Sequence, residues 1–277
     1  DLRFGLLDEI LAYVQAKGWL ELPAIAVYFH CYHALTQPHE AQHFLHFKRC
    51  LTEQDEQFPP AEITDLYLLA INFCIKRYNE GSHEYLRDEL DLYKEGLRKN
   101  YFLQNGALSR FTFRNIVTVG LVMQEFEWVE NFIRTFSERL EPQFRESMVS
   151  FNLARLEFER RNFSAALQLL QKSEYEDLLL NLAAKSVMLK IFYELDEFDA
   201  LASHLEAMRM FIRRQKNKVY QSENYLNTIA FTKKLMEVKA SDKAGIAALR
   251  QEIGEAKNVA ERQWLLAQVA EYQKGEG

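Results

Sequence analysis

Phe126, Phe163 and Phe198 stand 37 and then 35 residues apart. Each follows an apolar helical stretch and opens a second one, in the words QEFEWVENFI, RNFSAALQLL and DEFDALASHL. Two helices per period of about 34–40 residues mark a helical-hairpin repeat, in which no unit buries its apolar face alone and neighbours must stack. The spacing therefore predicts an all-α chain: a solenoid of roughly six antiparallel helical hairpins, running through residues 1–277 as one array. Turn chemistry agrees. Only 10 Gly and 5 Pro occur in 277 residues, so breaks are few and elements long, which excludes an all-β chain.

Leu2, Leu6, Leu7, Ile10, Leu11 and Val14 recur on one helical face and predict a helix over 2–17. Pro23 suits the first turn of the next, near 22–35, where a missing N–H costs little. Helices over 39–53, 61–78 and 83–99 follow, separated by Phe58-Pro59-Pro60 and by Asn79–Ser82, and Asn105-Gly106 makes a turn. The stretch Ile25–Phe44 lies over Leu66–Tyr85 at an offset of 41 without gaps. The clearest repeats span 111–140, 148–172 and 182–213. A long helix over 219–238 follows, and two shorter helices within 242–273 close the array. Such terminal caps cover the last apolar face of a stack.

The segment FNLARLEFERRNFSAALQLLQKS, residues 151–173, resembles a tetratricopeptide repeat. It places Leu153-Ala154 in the first helix, then Phe163, Ala166 and Leu170 in the second, at that family's spacings. Small residues at Ala154 and Ala166 let two helices approach closely, while Phe163 and Leu170 fill the gap to the next hairpin. The repeats at Phe126 and Phe198 keep the aromatic and apolar positions. They carry Val117 and Val129, or Leu189 and Leu201, at the small ones, and the family's trailing Pro is absent. The expected core is Phe126, Leu153, Ala154, Phe163, Ala166, Leu170, Phe198 and Leu201. The resemblance implies a right-handed superhelix of helix pairs with a concave groove lined by first helices.

Within that frame Asn115 and Asn152 share one first-helix position, and Asn72 lies near it in an earlier repeat. Arg114 precedes Asn115, and Thr118, Arg155 and Lys190 follow three residues past the equivalent positions. Relatives that grip a peptide tail use such groups, because amides bond an extended backbone and cations a carboxylate. The resemblance thus nominates Asn72, Arg114, Asn115, Asn152, Arg155 and Lys190 as peptide-binding residues. The alternative is that each Asn bonds a neighbouring helix end inside the stack.

His30, His33, His39, His43 and His46 are five of the 7 histidines, with i, i+3 spacing on two helices expected to be antiparallel. A zinc site bridging them is geometrically conceivable, yet no HExxH or other metal motif is present; a mix of groove-facing and solvated histidines is expected, and no metal. The basic run Arg209–Lys218 ends one helix, where the helix dipole favours cations; nucleic-acid contact is the sharper alternative. A net charge of −6 opposes non-specific nucleic-acid binding, so nucleic acid is not an expected partner. The 3 cysteines show no CxxC pairing and read as buried thiols in a reducing, cytoplasmic setting. No run is long and apolar enough for a membrane span, and no secretory leader is apparent.

GxGxxG, GxxxxGK[ST] and GxSxG are all absent, and carboxylates such as Glu157 and Glu159 fall on solvated faces. Neither a catalytic residue nor a cofactor is expected. The chain starts without Met inside an amphipathic pattern and reads as the C-terminal portion of a longer protein. The function expected is a non-enzymatic interaction or scaffold module that holds a peptide or protein segment, its identity and the oligomeric state being open. The alternative is a ligand- or partner-sensing regulatory domain that controls a nucleic-acid-binding or catalytic segment elsewhere.

Overall fold

The computed structural model describes residues 6–172, 175, 177–215, 222–239 and 241–274. Fourteen α-helices form among them, and the chain divides into two compact units, residues 1–145 and 146–277. In the N-terminal unit α1 (Leu7–Ala16) precedes three helix pairs. These are α2 (Pro23–Thr36) with α3 (Ala41–Glu53), α4 (Pro60–Asn79) with α5 (Tyr85–Arg98), and α6 (Arg110–Val122) with α7 (Phe126–Phe136). Pro23 and Pro60 each sit at the first turn of a helix, where proline's fixed φ is already helical. A two-residue antiparallel ladder, β1 (Leu103–Gln104) with β2 (Ala107–Leu108), closes around Asn105-Gly106. Both turn residues have positive φ, 51° and 80°, as a tight hairpin with right-handed strand twist requires. The expectation of no sheet is corrected only by this ladder.

In the C-terminal unit α8 (Pro142–Glu159), which crosses the boundary, is followed by α9 (Phe163–Lys172), α10 (Leu178–Glu194) and α11 (Phe198–Arg214). Then come α12 (Ser222–Glu237), α13 (Lys243–Glu255) and α14 (Arg262–Lys274). The ends of two expected helices, at 2–5 and 219–221, fall outside the described residues, as do Lys216–Lys218 of the basic run.

The three turns preceding Phe126, Phe163 and Phe198 share one backbone solution. Gln124, Arg161 and Asp196 adopt φ of 57°, 60° and 56°. The following N–H groups, of Glu125, Asn162 and Glu197, bond the carbonyls of Gly120, Glu157 and Phe192 at 2.9, 2.8 and 2.9 Å. This is the left-handed helix stop that satisfies the last free carbonyls. Tyr101 ends α5 in the same way, its N–H reaching the Gly96 carbonyl at 2.9 Å with Asn100 at φ 60°. The aromatic period seen in the sequence is therefore also a period of helix termination.

Half of the expected core is buried, namely Ala154, Ala166, Leu170 and Leu201, while Phe126, Leu153 and Phe163 are half-buried. Phe198 is the exception, at 41% exposure. As the first residue of α11 it lies edge-on to Tyr193 with ring centroids 6.0 Å apart and is not enclosed. In α6–α7 the close approach occurs at Gly120, where an added Cβ would collide with Val129. The equivalent aromatics of the first two pairs, Phe44 and Tyr85, pack on one another at 5.3 Å.

Candidate functional site

Large apolar side chains left exposed in the three pairs of the N-terminal unit fall mainly on first helices. They are Tyr28 and Leu35 on α2, Leu68 and Leu69 on α4, and Phe111 and Val122 on α6. Among the described residues of the second helices α3, α5 and α7, only Leu45 is comparable. Neighbouring first helices are linked across this side. The Tyr28 hydroxyl donates to Glu62 of α4 at 2.5 Å. Leu68 and Phe111 line one cleft of about 500 Å³, together with Tyr101, the β1–β2 turn and Glu141.

The first turn of α6 forms one wall of the cleft. Ser109 caps it, its hydroxyl accepting from the Phe111 N–H. Phe111 stands 61% exposed, and the Arg110 guanidinium stacks between Phe111 and Phe144, at 4.9 and 4.1 Å from their centroids. Helical spacing carries this face along α6. Arg114 and Thr118 follow Arg110 at successive i+4 steps, and Asn115 follows Phe111. Arg114 is half-buried, and Asn115, Thr118 and Asn72 are exposed. The Thr118 hydroxyl donates to the Arg114 carbonyl at 2.8 Å. Three of the nominated residues thus lie on accessible faces of α4 and α6.

The other three serve packing more than display. Asn152 is 0% exposed; its amide donates to the Met148 carbonyl at 2.8 Å and its Oδ1 accepts from Arg155 at 3.4 Å. Asn152 thus bonds within its own helix and not at a neighbouring helix end, and it is buried there. Arg155 is half-buried over Phe151, 5.7 Å from its centroid. Lys190 lies 4.9 Å over Phe158, and its Nζ pairs with Glu261 at 3.0 Å. The turn into α14 thus supplies the acidic partner expected of a ligand.

No family model, no curated protein and no solved structure matches the chain.

Other polar groups are internal. Burial pushes the Glu89 carboxyl, 5% exposed on α5, up to about 7, because a low dielectric disfavours its charged form. The free cysteines Cys31, Cys50 and Cys74 are buried, and burial raises all three thiols, leaving them far from the reactive thiolate state. Among the described residues no three His, Cys, Asp or Glu side chains converge to hold a metal ion, and no helix is long and apolar enough to cross a membrane. Arg209 pairs with Glu206, and Arg213 and Arg214 occupy the last turn of α11, as its dipole favours.

The apolar first-helix face was not legible in the sequence. Its residues interrupt the polar side of their helices, and periodicity alone assigns every large apolar side chain to a core.

Proposed function

We propose that the chain is a tetratricopeptide-like superhelical array acting as a non-enzymatic interaction module. Its first helices hold an extended segment of a partner protein, and the three buried free thiols fit a cytoplasmic setting. The observation that carries this reading is the exposed apolar series on α2, α4 and α6, rimmed by Asn72, Arg114 and Asn115. Exposed apolar side chains bordered by polar groups, with Leu68 and Phe111 sharing one cleft, are what a protein-binding surface requires. Phe111 beside Arg110 has the make-up of a binding hot spot, an aromatic anchor next to an arginine. Arg110 and Arg114 favour a segment with acidic groups near its apolar anchors. Asn152 and Lys190 belong to the internal packing in this reading.

The test is a paired pull-down from the native cell, with the wild-type chain and Phe111→Ala as baits. Phe111 is mostly exposed, so the variant keeps the wild-type melting temperature. A specific partner should be retained by the wild type and weakened on the variant by about 2 kcal/mol, the threshold for a hot-spot residue. An identical retained set on both baits would remove Phe111, and the first-helix face with it, from the function.

A further inference from the structure

Helices α2 and α3 bring four imidazoles into one cluster. His30 stacks on His46 with centroids 4.7 Å apart and planes at 16°, and His33 stacks on His43 at 4.7 Å and 23°. Nδ1 of His30 lies 3.2 Å from Nδ1 of His43, so one ring presents an N–H to the other's lone pair. His46 uses its Nδ1–H on the Gln42 carbonyl at 2.7 Å, and His33 Nδ1 is buried without a partner. Phe29 closes one side, in contact with His30, His33 and His43.

Counter-charge around the cluster is sparse. Glu40 is 3.6 Å from His43 Nε2, on a largely exposed side chain. Arg49 of α3 adds positive charge towards His30. Lys48 of α3 is committed to Asp88 and Asp91 of α5. From α4, Glu62 accepts from Tyr28, and Asp65 acts on that same phenol. Asp55, in the turn after α3, is held by Lys99 and Tyr101. Glu21, in the turn before α2, is exposed.

We propose that the α2–α3 hairpin is a proton-operated latch, in which uptake of two or more protons by the four imidazoles drives the two helices apart. A single proton can be shared along the His30–His43 contact. A second puts like charges on rings at stacking distance, and among the described residues only the Glu40 carboxylate lies within ion-pair reach to offset them. Burial and neighbouring imidazoles already hold His30 down at about 4, and His43 below its ordinary value. The sign follows: an imidazole that protonates more readily in the open state favours opening as pH falls below about 6.5. Opening exposes Phe29, buried in the closed hairpin beside three of the imidazoles.

Hydrogen exchange of the full chain at pH 7 and pH 5, corrected for intrinsic rates, tests the latch. The amides of 23–36 and 41–53 should exchange about tenfold faster at pH 5, the factor for one lowered pKa unit, while those of α10 and α11 hold steady. The double variant His30→Gln/His43→Gln should abolish this step. Glu40→Gln, at an exposed position, should enlarge the step at pH 5, because it lowers the closed-state value of His43 while the onset stays with the open imidazoles. A pH-independent α2–α3, a loss of protection spread evenly over both units, or a step in Glu40→Gln no larger than in the wild type would each overturn the proposal.

Discussion

Glu89→Gln should raise stability at pH 8 by about 2 kcal/mol and leave it nearly unchanged at pH 5. The Glu89 carboxyl is buried on α5 with an ordinary value of 4.5 raised to about 7, and burial is the cause. A raised carboxyl pKa means the folded state binds more protons than the unfolded state. Its contribution is intact below about 4.5 and is lost as pH rises through 7. At pH 8 the ionised form costs about 3 kcal/mol, from 1.36 kcal/mol per unit. Glutamine has the same shape and no charge to desolvate, although its amide brings its own need for a hydrogen bond, which trims the gain. Tyr93, one turn away, and Cys74 of α4 are the polar neighbours, and neither supplies a cation. Because variant and wild type are compared at each pH, the opposite slope from the histidines cancels. Urea titrations at the two pH values decide the matter. Equal differences at pH 5 and pH 8 would show that Glu89 ionises without penalty.

Ala166→Trp should lower stability by about 2–3 kcal/mol, the cost of forcing a large side chain into a closed helix contact. Ala166 is 0% exposed on α9, in the same turn where the Ser150 hydroxyl of α8 reaches the Leu169 carbonyl at 2.6 Å. Ser164, two residues earlier, is exposed. Ser164→Trp is the control and should be nearly neutral. Thermal melts in which the two substitutions cost the same would place the wrong face of α9 against its neighbours.

Helix positions were legible because pattern and punctuation coincide. Pro23 and Pro60 fix two starts, and the spacing of apolar residues carries α2 to α5 to within a residue or two of their observed ends. The aromatic period located α6–α7, α8–α9 and α10–α11, although it could not reveal that non-glycine residues at 124, 161 and 196 take the left-handed conformation. What stayed hidden was long-range. Lys190 is expected in a groove from its repeat position, but its charge is met by Glu261, 71 residues on. Asn152 has the residue type of a ligand contact and the burial of a core residue. Gly120 allows the α6–α7 contact that Val117 and Val129 seemed too large to permit. Phe198 keeps the repeated position and opens its helix as Phe126 and Phe163 do, without their enclosure. The histidine convergence corrects the expected mix of groove-facing and solvated rings, although i, i+3 spacing on antiparallel helices made it conceivable.

The central claim is that these hairpins build an open superhelix with a face long enough to hold another chain. Small-angle X-ray scattering of the monomer, taken across a gel-filtration peak, measures this directly. A compact chain of 277 residues has a radius of gyration of about 19 Å. The proposed superhelix requires a clearly larger value and an asymmetric distance distribution with an extended tail. A radius close to that of the compact chain, with a symmetric distribution, would contradict it.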